Sequence, residues 1–158
     1  MDSAPTPLVA STTFDEAAIA LSPDGRWLAY ESNETGRLEM FVRPFPNTGA
    51  AKWQVSTSGG QAPLWAPSGR ELFYVDGARQ MIVAAVSPGP TLQLGERRVL
   101  FRLREDLYLT ERESYTPHDV GRDGQRFIMA RRRRTEGASA APLIVVENWF
   151  EEVRSRTR

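Results

Sequence analysis

The chain of 158 residues has no cysteine, one histidine (His118) and one lysine (Lys52). Without cysteine there is no disulfide, no thiolate metal site and no thiol nucleophile. A lone histidine needs further ligands or a nucleophile beside it to build a metal site or a triad. The sequence also lacks a Gly-x-Ser-x-Gly elbow, a Gly-rich phosphate loop and a kinase-type catalytic loop. A hydrolase half and a kinase active site are therefore not encoded here. No catalytic, cofactor-binding or metal-binding residue is assigned from the sequence, and no cofactor is expected. No apolar run approaches the ~20 residues of a membrane-spanning helix. The opening Met1-Asp2-Ser3-Ala4-Pro5-Thr6-Pro7 has neither the basic start nor the apolar middle of a signal peptide. Net charge is zero, so no overall field draws the chain to nucleic acid or an acidic membrane.

What the chain does have is one sentence said three times. Ser22-Pro23-Asp24-Gly25-Arg26-Trp27-Leu28-Ala29-Tyr30 returns as Ala66-Pro67-Ser68-Gly69-Arg70-Glu71-Leu72-Phe73-Tyr74. It returns again as Gly121-Arg122-Asp123-Gly124-Gln125-Arg126-Phe127-Ile128-Met129. Proline presets the first corner of a type I turn, Asp or Ser suits the second, and glycine takes the left-handed position that follows. Such chemistry predicts a three-residue hairpin with a glycine bulge. The runs after the turns (Trp27–Tyr30, Leu72–Val75, Phe127–Ala130) are apolar without alternation, which predicts strands buried on both faces. Repeats of about 40–45 residues with several strands each point to propeller blades. The Ser-Pro-Asp-Gly-Arg-Trp-Leu-Ala-Tyr form resembles the TolB-like β-propeller repeat.

The fold expected is therefore all-β: a partial β-propeller of about three four-stranded antiparallel blades, the last incomplete, with a short C-terminal helix. Residues 8–12 read as a leftover outer strand, 17–57 as a first blade and 62–101 as a second. Residues 115–147 read as a third, and 148–155 as the helix. Within the second blade, the Pro/Gly-rich stretch 87–95 reads as a loop leading to a fourth strand at Arg98–Phe101. In the helix, Asn148 is placed to cap and Trp149, Phe150 and Val153 share a face. The ending Val145-Val146-Glu147-Asn148-Trp149-Phe150-Glu151-Glu152-Val153 resembles the C-terminus of propellers fused behind bacterial Ser/Thr protein kinases. That resemblance implies a fragment of a longer, membrane-anchored parent, with the propeller on the periplasmic or extracytoplasmic side. Since propellers close with 4–8 blades, the partner expected is either the parent's remaining blades or a second copy of the chain.

Individual residues carry little chemistry. His118, followed by Asp119, reads as structural or solvated. Asp24, Asp76 and Asp123 lack the dense acidic spacing of a calcium loop and read as turn residues. Arg131-Arg132-Arg133-Arg134 reads as a solvated hairpin tip, and no nucleic acid is expected as partner. Trp27, Trp53 and Trp65 read as core, and Glu151 and Glu152 as first-turn helix acids. The function expected is a non-catalytic interaction or sensing module whose ligand is a protein, peptide or glycan. The alternative is the gating propeller of a prolyl-oligopeptidase-like serine peptidase, a family whose propellers carry similar turns.

Overall fold

A computed structural model describes residues 7–9, 11–87, 89–107, 109, 116–131 and 143–146. Among them are eleven strands in three antiparallel meanders and no helix. The first sheet is β1 (Glu16–Leu21), β2 (Trp27–Ser32), β3 (Glu39–Pro44) and β4 (Trp53–Gln54), in that spatial order. The second is β5 (Gln61–Trp65), β6 (Glu71–Val75), β7 (Gln80–Ser87) and β8 (Gln93–Arg102). The third is β9 (His118–Val120), β10 (Phe127–Ala130) and β11 (Leu143–Val146).

The repeated turns explain the repeated β1–β2, β5–β6 and β9–β10 hairpins. Gly25, Gly69 and Gly124 have φ of 70°, 67° and 68°. Each donates its N–H three residues back, to the carbonyls of Ser22 (2.8 Å), Ala66 (2.9 Å) and Gly121 (2.8 Å). The second corner is locked by a side chain that accepts the N–H two residues on: Asp24 from Arg26, Ser68 from Arg70, Asp123 from Gln125. The hairpin is one residue longer than expected, because its closing bonds run from Ser22 N–H to Trp27 O, Ala66 to Glu71 and Gly121 to Arg126. In the first copy the Ser22 hydroxyl sits inside the loop and accepts from Arg26 N–H and Trp27 N–H; the same loop forms at Ala66 and Gly121 without a hydroxyl. The three-residue form with a left-handed fourth corner occurs elsewhere, in the β6–β7 turn. There Asp76 N–H meets Gln80 O (2.9 Å) and Arg79 takes φ 60°.

Two apolar layers hold the sheets face to face. Trp27, Ala29, Met40 and Val42 of the first sheet pack on Trp65, Leu72, Tyr74, Ile82 and Ala84 of the second. The opposite face of the second sheet, with Phe73, Val75, Met81 and Val83, packs on Phe127 and Met129 of the third. Trp27 meets Trp53 edge-on at 5.6 Å, and the Trp65 indole N–H donates to the Ala20 carbonyl (3.1 Å). Burying strands on both sides is what their unalternated sequences require, and β2 is buried along its whole length. The β10 strand departs from that expectation. Phe127 and Met129 are buried but Ile128, between them, is 39 % exposed, because no described element covers that face of the third sheet.

Two other expectations change. Leu8, Val9 and residues 12–14 form bends rather than a strand; the Thr48 hydroxyl donates to the Leu8 carbonyl, beside the first sheet. The β8 strand begins at Gln93, so half of the Pro/Gly-rich loop joins the ladder as Val86↔Leu94 and Ser87↔Gln93. Buried Leu92 and the packing of Leu94 on the first apolar layer supply the reason. The inner strands β1 and β5 each carry a bulge at a left-handed alanine, Ala18 (φ 47°) and Ala62 (φ 57°), at matching places in the two repeats. Pro117 stands at the corresponding place of the third repeat, where proline's fixed negative φ forbids that bulge. The expected C-terminal helix, 148–155, lies outside the described residues.

Candidate functional site

The β2–β3, β4–β5 and β6–β7 connections meet at one end of the seam between the first two sheets. This is where the described surface has a groove built by rigid backbone. Ser58-Gly59-Gly60 leaves the first sheet and presses on the Asp76-Gly77 turn of the second, with Gly77 N–H donating to Ser58 O (3.1 Å) and Gly60 N–H to Leu38 O (2.9 Å). A Cβ on Gly59 would lie 2.7 Å from Gly77 N, and one on Gly77 would lie 2.8 Å from Ser58 O. Glycine is needed here for close backbone approach. The resulting groove of about 460 Å³ is lined by Arg37, Leu38, Gln61, Val75 and the Ser58–Gly60 and Asp76–Gly77 backbones. A smaller cleft of about 160 Å³ adjoins it, sharing Ser58, Gly59 and Asp76 and extending to Tyr74, Ile82 and Arg97–Val99.

A buried carboxylate anchors the groove wall. Glu39, 1 % exposed, accepts from Gly59 N–H (3.1 Å), Arg37 Nε (2.6 Å) and the Ser56 hydroxyl. Burial pushes its pKa up, but those hydrogen bonds from Ser56, Gly59 and Arg37 outweigh burial and hold it below the ordinary glutamate value. Arg37 also donates to the Thr57 carbonyl, so it is committed to the wall as much as to the groove. Glu31, on β2, reaches across the seam to accept the Ala62 N–H (3.1 Å) at the β5 bulge. Among the described residues it has that single donor, and burial pushes its pKa up.

These two carboxylates make opposite contributions to stability. A depressed folded pKa stabilises above the unfolded value near 4.5 and loses that contribution as pH falls through the folded value. A raised one costs stability above the folded pKa and costs nothing below the unfolded value. Glu39→Gln is accordingly expected to cost about 1–3 kcal/mol at pH 7 through lost charge-assisted hydrogen bonds, with the difference from wild type closing as pH falls through the lowered folded pKa. Glu31→Gln is expected to be neutral or stabilising at pH 7, with that advantage vanishing in acid. Urea unfolding followed by circular dichroism across pH 3–7 checks both signs.

The residues singled out in the sequence do not gather here, apart from Asp76. Its carboxylate accepts from Ala78 N–H (3.0 Å) and Gln80 N–H (2.7 Å), a turn role. Asp24 and Asp123 are turn residues as well. Hydrogen bonding by Ser22 lowers the Asp24 pKa, and the Gln125 N–H lowers that of Asp123. His118 is buried in the third sheet, and desolvation pushes its pKa down to about 4, so it is neutral at pH 7. Asp119 spends its Oδ1 on the Val120 N–H (2.8 Å). Trp27, Trp53 and Trp65 pack in the core. Arg131 pairs with Asp106 (2.7 Å); Arg132–Arg134, Trp149, Glu151 and Glu152 lie outside the described residues. Among the described residues no three His, Asp or Glu side chains gather in a way that could hold a metal.

Sequence reasoning passed over Glu31, Glu39 and the two left-handed alanines. The glutamates did leave a signal, since an acid inside an apolar strand such as Leu38-Glu39-Met40-Phe41 is seldom buried without a specific partner. The alanines left none.

Three stacked antiparallel meanders define the class: an arc of a β-propeller. No protein-family model and no curated protein matches the sequence. Solved structures do match. An oligogalacturonate lyase in complex with manganese aligns at TM-score 0.52 and 15 % identity, over 76 % of this chain and 31 % of that one. The oligogalacturonate lyase of Vibrio parahaemolyticus aligns at 0.50 and 14 %, over 72 % and 28 %. A looser likeness, 0.41 at 15 % identity over 87 % and 42 %, joins the chain to TolB of Acinetobacter baumannii. The lyases are propeller-like, and the alignment carries the fold. The chain spans about a third of the length of the lyases it matches.

Proposed function

We propose that this chain is a non-catalytic interaction module, the part of a larger propeller that holds a protein, peptide or glycan ligand in the seam groove. The observation behind this reading is the groove's construction. Its walls are fixed backbone, tied by Gly77 N–H to Ser58 O and by Glu39 to Gly59, and its exposed groups are hydrogen-bonding ones without a nucleophile and base set against each other. Rigid, preformed concavities with a few polar groups suit recognition. The parent is a bacterial receptor Ser/Thr kinase, and the module is its extracytoplasmic sensor. The support is the likeness of residues 145–153 to the C-terminus of such propellers.

The test uses peptide and glycan arrays probed with the 158-residue chain and with Ser58→Trp. Ser58 is exposed, lines the groove and engages the seam only through its backbone. Tryptophan there is expected to weaken any groove ligand at least tenfold while the circular dichroism spectrum stays unchanged. Ligands bound equally by both proteins, or no ligand at all, would overturn the reading.

A further inference from the structure

We propose that the outer edge of β8 is a docking site for an acidic peptide, which adds to the second sheet as a further strand. This goes beyond the seam groove and does not depend on it. Among the described residues the β8 strand pairs with β7 alone, and it runs for ten residues, the longest described strand. No described strand pairs with its other edge, and most of its residues are exposed; an unpaired edge is the template that extended peptides use when they join a sheet.

Edges of this kind are normally blunted, and β8 is blunted at two places. Its register shifts against β7 between Met81 and Ile82 and again between Ala84 and Val86, and bulges interrupt a pairing edge. Between them lies a regular run, Arg97–Val99, paired with Ile82–Ala84. That run also borders the smaller cleft, whose floor is apolar at Ile82 and flanked by Val99, 49 % exposed. The one uninterrupted piece of free edge thus sits beside a pocket for a side chain.

Charge selects the partner. Arg97, Arg98 and Arg102 are exposed on β8, against a single acid, Glu96, and none of the three makes an ion pair among the described residues. Cations along an edge repel a second copy of the same edge, which removes self-pairing, and attract a strand carrying carboxylates. Guanidinium groups take carboxylates two hydrogen bonds at a time. The fitting occupant is an extended peptide with acids placed for the arginines and a small apolar residue placed for the cleft.

The probe is a peptide of roughly seven residues alternating glutamate and valine, with a lysine–valine peptide as control. Binding is read by fluorescence anisotropy and by amide hydrogen exchange on the 158-residue chain. The acidic peptide is expected to bind, to weaken steeply with salt, and to protect amides within Gln93–Arg102. Arg97→Glu/Arg98→Glu is expected to lower its affinity at least tenfold, and the milder Arg97→Gln/Arg98→Gln severalfold. Equal binding of the lysine peptide, indifference to both double variants, or protection confined to residues 57–60 would overturn the proposal. The last of these would move the peptide into the seam groove and leave that reading standing.

Discussion

Gly59→Ala is expected to destabilise the chain by about 2–4 kcal/mol, roughly twice the cost of the same change at Gly25. Gly59 has φ +90°, and a methyl group there would lie 2.7 Å from Gly77 N and 2.9 Å from Gly77 Cα. Both obstacles are backbone, so no side-chain rotation relieves them. The left-handed conformation alone costs a non-glycine residue about 1–2 kcal/mol, and forcing an extra carbon into a packed site adds about 1–3 kcal/mol. Gly25 isolates the first contribution, because it has φ +70° and nothing within 4 Å of the added carbon. Its alanine variant should cost only about 1–2 kcal/mol. Urea unfolding of the two variants side by side gives the comparison. If Gly59→Ala costs no more than Gly25→Ala, the two backbones do not touch at the seam and the groove wall is misassigned.

Phe127→Ala is expected to cost about 3–5 kcal/mol, the range for emptying a fully buried aromatic site. Phe127 is 0 % exposed. Its ring meets Phe73 edge-on at 5.0 Å and Phe101 at 5.6 Å, so it joins the third sheet to the second. Phe127→Leu keeps most of the volume and should cost less than about 1.5 kcal/mol. Amide exchange should show where the loss falls. Protection is expected to collapse first in His118–Val120 and Phe127–Ala130, and last in Trp27–Ser32, which among the described residues packs within the first two sheets. A penalty under 1 kcal/mol for the alanine variant would show that the third sheet does not lean on the second through this ring.

The likeness among the three turns made the fold legible. Pro23, Asp24 and Gly25 act within four residues of one another, and their consequences (a corner, a locked carboxylate, a left-handed glycine) need no distant partner. Apolar runs such as Leu72–Val75 are equally direct, since a strand without polar alternation has to be covered on both sides. Strand order followed, because short connections join neighbours into a meander. Loop length is not written in the same way: all three turns close one residue further out than expected, at Ser22, Ala66 and Gly121 alike. At Ile128 the sequence is as apolar as its counterparts, and only the absence of a covering sheet among the described elements exposes it.

What the sequence determined by itself is therefore local: where the chain turns, which runs become strands, and that three similar units stack. What only the tertiary structure decided is the seam. Gly59 and Gly77 are 18 residues apart, and either one alone reads as an ordinary loop glycine; they become irreplaceable because two backbones pass within contact. Glu31 and Glu39 look alike in sequence, yet among the described residues one has a single donor and the other has three. Burial prevails at Glu31 and raises its pKa, whereas the hydrogen bonds and the Arg37 charge prevail at Glu39 and lower its own. Ala18 and Ala62 are held left-handed inside strands, against their own preference, by the bulges of the inner strands. Such features depend on which surfaces meet. Turn chemistry acts over a few bonds and is written in adjacent letters, whereas burial, close approach and shared hydrogen bonds arise only once separate repeats have packed together.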